Sequence, residues 1–91
     1  MTPDENDELF NFPCEFPIKV MGFAELGFDA LVIEIVQRHC QHELHKEAIS
    51  LRTSSGGKYM AVTVTFTAHS REQLDALYQE LTGHQKITMV L

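Results

Sequence analysis

Residues 59–68, YMAVTVTFTA, alternate without a break: Met60, Val62, Val64 and Phe66 fall on one face, Tyr59, Ala61, Thr63, Thr65 and Thr67 on the other. A period of two held this long, in a stretch this rich in β-branched residues, specifies a strand with one buried face. The flanking segments fix the rest. CEFPIKVMG (14–22) has the same period, with Phe16, Ile18 and Val20 inward. Pro17 belongs near that strand's start, where a missing N–H costs least. FAELGFDALVIEIVQRHC (23–40) changes period, and Phe28, Leu31, Val32, Ile35, Val36 and His39 mark one helical face. Glu25 and Asp29 lie toward its N-terminal end and Arg38 and His39 toward its C-terminal end, as the helix dipole favours. EAISLRT (47–53) alternates again, with Ile49 and Leu51 inward, and SSGGK (54–58) is a turn. SREQLDALYQELTG (70–83) opens with Ser70 and Gln73 at capping-box spacing and carries the stripe Leu74, Leu77, Tyr78 and Leu81. Gly83 suits the position after its end, and KITMVL (86–91) reads as a last strand.

The order β-α-β-β-α-β predicts an α+β fold, the ferredoxin-like two-layer sandwich. Two right-handed crossovers around a hairpin give a four-stranded antiparallel sheet, strand order 4-1-3-2, with both helices on one face. Residues 12–91 are expected to form this single domain. Residues 1–11 are expected to be an acidic, flexible tail, because Asp4, Glu5, Asp7 and Glu8 carry most of a net charge of −6. The near-neutral remainder argues against bulk electrostatic binding of nucleic acid. No apolar run approaches the ~18 residues of a membrane span. The acidic N-terminus is unlike a signal peptide, so a cytoplasmic location with free thiols is expected of Cys14 and Cys40.

That topology gathers Cys14, His39, Cys40, His42, His45 and His69 at one end, called the lower end below. His39 and His42 are spaced i, i+3 and Cys14 approaches from the strand, so these three are the candidate metal ligands. The simpler reading makes His39 a helix-end residue and the others surface groups, since loose Cys/His clusters often bind nothing. At the upper end, Gly22 and Gly27 bracket the connection Met21–Gly27, with Phe23 and Phe28 as walls of a small pocket. Met21, Gly22, Phe23 and Gly27 are the candidate ligand-binding residues. The open sheet face presents Lys19, Met21, Ser50, Arg52, Tyr59, Ala61, Thr63, Thr65, Lys86, Thr88 and Val90, with cations and no acid. Lys19, Arg52, Tyr59, Thr63 and Lys86 are the expected interaction face.

Enzyme and carrier templates on this fold fail on named residues. MGFAELG (21–27) has no arginine to hold phosphate and no cysteine pair to carry a metal. Tyr59 is the one aromatic expected on the open face, too few for an RNA-stacking sheet.

KVMG (19–22), VQRH (36–39), Ser54-Ser55 with Gly57 and Tyr59, LYQEL (77–81) and MVL (89–91) resemble the YbeD-like family of small bacterial proteins of unknown function. The likeness runs from about Phe12 to Leu91. It implies a βαββαβ fold similar to the ACT regulatory domain, a regulatory or ligand-sensing role, and a link to lipoate metabolism. It supplies no catalytic residues, and Cys14, Cys40, His42 and His45 depart from its pattern. The expected function is therefore a non-enzymatic ACT-like module without a cofactor. It would bind a small metabolite or a partner protein, with homodimerisation through a sheet edge or the helix face. The alternative is metal binding or redox sensing through His39, Cys40, His42 and His45.

Overall fold

The computed structural model describes residues 12–40 and 42–91, so the expected tail, 1–11, lies outside the described residues. The elements are β1 (Cys14–Phe23), α1 (Phe28–Arg38), a 3-10 turn (Lys46–Ala48), β2 (Ile49–Thr53), β3 (Tyr59–Ala68), α2 (Arg71–Thr82) and β4 (Ile87–Val90). They form one antiparallel sheet in the order β2-β3-β1-β4, which is the expected order read from the other side. Both helices pack on one face, against β1, β3 and β4.

The core follows from the alternation. Ile18 and Val20 of β1 and Val62, Val64 and Phe66 of β3 meet Val32, Ile35 and Val36 of α1 and Leu74, Leu77 and Leu81 of α2. Full burial of each such side chain contributes about 1.5–3 kcal/mol. The central pairing of β1 with β3 runs in unbroken register from Cys14–Ala68 to Phe23–Tyr59. Pro17 sits within β1, at no cost to the ladder. Lys19 exchanges both its main-chain bonds with Leu91 on the β4 side. Two residues earlier, Pro17 turns its nitrogen the same way, below the paired stretch.

Local differences from the sequence reading have physical causes. β1 continues one residue past Gly22, because that glycine is a buried strand residue and not a terminator. α1 starts only at Phe28, after Gly27 at φ 90°, a left-handed conformation that glycine adopts without strain. Ser70 Oγ accepts the Gln73 N–H at 3.1 Å as expected of a cap. The Gln73 side chain accepts from His69 N–H and not from the cap residue itself. Gly83 ends α2 in a right-handed conformation, φ −84°. Leu51 lies on the helix side of the sheet, paired with buried Val62, yet it is 51% exposed because the helices leave β2 uncovered. β4 carries a bulge opposite Met21 and Gly22, pairing Met89 with Met21 and Ile87 with Gly22. Met89 is therefore the open-face residue, and Val90 packs against the core, where alternation from Lys86 had placed it on the open face.

Candidate functional site

At the lower end the structure gives the histidines structural partners. Gln37 of α1 latches the 42–44 segment, its Nε2 donating to the His42 carbonyl at 2.8 Å and its Oε1 accepting from Leu44 N–H at 3.1 Å. This seats the His42 ring beside β3 beyond the reach of β2. Thr67 N–H donates to His42 Nε2 at 3.0 Å, and Nδ1 lies 3.2 Å from the Glu43 carbonyl. The tautomer is thereby fixed with the proton on Nδ1, and the ring completes a ladder position that β2 does not fill. Both ring nitrogens are occupied without an ion.

His39 is held differently. Its Nε2 donates to Glu80 Oε1 at 2.7 Å, Arg38 grips the other Glu80 oxygen, and the Gln73 side chain donates to the His39 carbonyl at 2.6 Å. The end of α1 is thus tied to α2. Cys40 packs against the core, and burial pushes its thiol pKa up, away from the thiolate that metal or redox chemistry uses. Among the described residues no three His, Cys, Asp or Glu side chains converge on a point that would hold a metal ion. His39, His42 and Cys14 share an end of the fold without forming a site.

The His39 hydrogen bond, and then Arg38, hold the Glu80 carboxyl below the usual carboxylate range, against a smaller opposing effect of burial. A lowered pKa stabilises the folded state above the unfolded value, and the contribution fades as pH falls through the folded one. Glu80→Gln is therefore expected to cost under about 1 kcal/mol at neutral pH, as befits a partly exposed pair. Urea midpoints of the two proteins should converge in acid; a difference that persists there would assign the effect to packing.

At the upper end Gly22 faces the protein's own atoms, whereas a Cβ on Gly27 would meet open space. A Cβ on Gly22 would lie 2.4 Å from Phe28 Cε1 and 2.5 Å from the Lys86 carbonyl oxygen, so that space is already filled. Phe28 is core, and Phe23 points to the opposite, open face. What remains is a shallow pocket of about 220 Å³ beside the connection, lined by Glu25, Leu26, Gly27, Phe28, His84 and Lys86 among others. Lys86 Nζ meets Glu25 Oε1 at 3.1 Å across it, and Leu26 stands fully exposed at its lip. Lys86 thus belongs to this pocket and not with the other cations of the open face. Of the expected ligand residues only Gly27 lines it; Glu25, His84 and Lys86 were missed, because they meet only when β4 returns beside β1.

On the open face Lys19, Met21, Arg52 and Tyr59 line one concavity of about 250 Å³ with Ser54, Ser55 and Ala61, while Thr63 lies next to it in register. Phe23 joins them as Tyr59's cross-strand partner, the rings stacked at 5.2 Å and 26°. The face therefore has two aromatics where one was expected, a consequence of β1's extra residue.

No helix among the described residues is long and apolar enough to cross a membrane. The fold is similar to the ACT domain from the GTP pyrophosphokinase of Chlorobium tepidum, with a TM-score of 0.66 at 13% identity over 87% of this chain and 96% of that one. It is also similar to protein HP0495 from H. pylori, with a TM-score of 0.64 at 14% identity over 88% and 82% of the two chains. At such identities the likeness is one of fold alone. In sequence, the chain is 49% identical to a UPF0250 protein of Chromobacterium violaceum, over 97% of this chain and 98% of that one. It is 43% identical to a UPF0250 protein of Pseudomonas aeruginosa, over 99% and 97%. A family model described as "Protein of unknown function (DUF493)" matches residues 7–91. The chain is thus a member of the DUF493, or UPF0250, family of proteins of unknown function.

Proposed function

We propose that the chain is a non-enzymatic, cytoplasmic regulatory module of ACT-like fold that binds a small metabolite beside the β1–α1 connection. The observation that supports this reading is the pocket where Glu25 and Lys86 face each other at 3.1 Å over an apolar floor of Phe28 and Leu31. Opposite charges this close, both about half exposed, exchange readily for a ligand of matching polarity. The chemistry fits a zwitterion: an ammonium toward Glu25, a carboxylate toward Lys86, and a modest apolar side group against Phe28. Regulation by such a module needs no reacting groups of its own.

Titration of the isotope-labelled chain with a panel of amino acids, followed by amide NMR, tests the proposal. The expected result is saturable shifts confined to residues 24–31 and 84–87, weakened at least tenfold by Lys86→Ala. A panel that leaves these amides unmoved at millimolar concentration would sink the reading.

A further inference from the structure

The concavity on the open face lies apart from that pocket and shares no residue with it. Its floor is Ala61, which pairs with Met21 on one side and Arg52 on the other and is nearly buried between them. A larger residue there would fill the cup. Lys19 is aligned with the next open-face residue, Thr63, so the Lys19 and Arg52 backbones lie about 12 Å apart on sheet spacings. Side chains of that length close such a gap onto one group held between them.

The charges are arranged against the average of the molecule. The chain has 13 acids and 7 bases, yet no carboxylate lines the cup. Arg38 and Lys86 are each paired with a glutamate, whereas neither Lys19 nor Arg52 has an ion-pair partner among the described residues. Ser55 adds a hydroxyl from the hairpin. Beside the cup the stacked Phe23–Tyr59 pair stays 44% and 40% exposed, an aromatic ledge with the Lys58 ammonium 5.7 Å from the Tyr59 ring centroid.

We propose that this cup binds a phosphate monoester bearing a planar ring, in chemical class a nucleoside monophosphate. The phosphate sits between Lys19 and Arg52 and the ring lies against the Phe23–Tyr59 ledge. Two free cations with no acid suit a dianion better than a carboxylate, and a phosphate monoester carries roughly −1.5 to −2 at pH 7. The planar guanidinium of Arg52 takes two phosphate oxygens at once. A volume of about 250 Å³ is roughly that of eight waters at ~30 Å³ each. That holds the phosphate and its sugar and leaves the base outside, where the ledge is.

The test is an amide NMR titration of the full chain with adenosine 5′-monophosphate, adenosine and inorganic phosphate in parallel. The monophosphate should give saturable shifts at residues 19–23 and 52–61. Adenosine and phosphate should each bind at least tenfold more weakly, since each keeps only one of the two recognition elements. Lys19→Ala and Arg52→Ala should each weaken the monophosphate roughly tenfold. Ala61→Leu, whose spectrum reports directly whether the fold survives, should block the cup. Absence of shifts, or shifts that persist in the Lys19→Ala/Arg52→Ala double variant, overturns the proposal. Phosphate binding as tightly as the monophosphate would mean an adventitious anion only, and overturns it too. Tighter binding of a short single-stranded oligonucleotide would replace the proposed ligand with nucleic acid.

Discussion

Gly22→Ala is expected to destabilise the chain by about 3 kcal/mol or more, which is over half of the total stability of a domain at the low end of the ~5–15 kcal/mol range. The added methyl would stand 2.5 Å from the Lys86 carbonyl oxygen and 2.4–2.6 Å from two carbons of the Phe28 ring. A second substitution can trim the ring, but the carbonyl belongs to the backbone entering β4 and has nowhere to go. Gly22→Ala/Phe28→Leu should therefore recover only part of the loss. Urea denaturation followed by circular dichroism measures both. A Gly22→Ala protein within 1 kcal/mol of the parent (a difference typical of unremarkable sites) would show that β4 approaches β1 less closely than described.

Phe66→Ala carries the next largest expected effect, about 3–5 kcal/mol. Phe66 is the largest fully buried side chain among the described residues and lies in the lower half of the β1–β3 pairing, against Phe16 at 6.1 Å between ring centroids. Its removal opens a cavity that strands locked in register cannot collapse to fill. Phe66→Leu should cost clearly less, because it restores much of the volume. Equal losses from the two would point to a specific role of the ring. Thermal unfolding of the three proteins side by side decides between these outcomes.

Much of the architecture is legible in the residues because local period and burial agree. The bounds of β3 coincide with its alternation, and Leu74, Leu77 and Leu81 are buried where the helical stripe puts them. The strand order follows from the β-α-β-β-α-β element order with right-handed crossovers, and the structure has it. The features that escape are made by tertiary approach. Gly22 looks like a terminator because glycine often ends a strand, yet here it admits the Phe28 ring and the Lys86 carbonyl, and so frees Phe23 to face the open side. The β4 bulge has no signature in KITMVL, and it exchanges the roles of Met89 and Val90. His42 was legible as a polar residue near a helix end. Its partner is the main-chain N–H of Thr67, a group every residue but proline carries, so no spacing of side chains announces it. The upper pocket depends on Glu25 and Lys86, 61 positions apart, which only the finished sheet brings together.

The bulge at β4 bears on how copies of this sheet can associate. A sheet normally offers two edges for strand addition, and an assembly that uses both can grow without limit. Here β4 spans only Ile87–Val90 and is distorted at its middle, a combination that discourages a further strand. The opposite edge, β2, is regular and bears the exposed Leu51. With a single regular edge, strand addition between copies would be self-terminating. Two molecules joined β2 to β2 would each present outward the short β4 edge and the lower part of β1, where Pro17 has no N–H to donate, so such a pairing would favour a closed pair over a fibre.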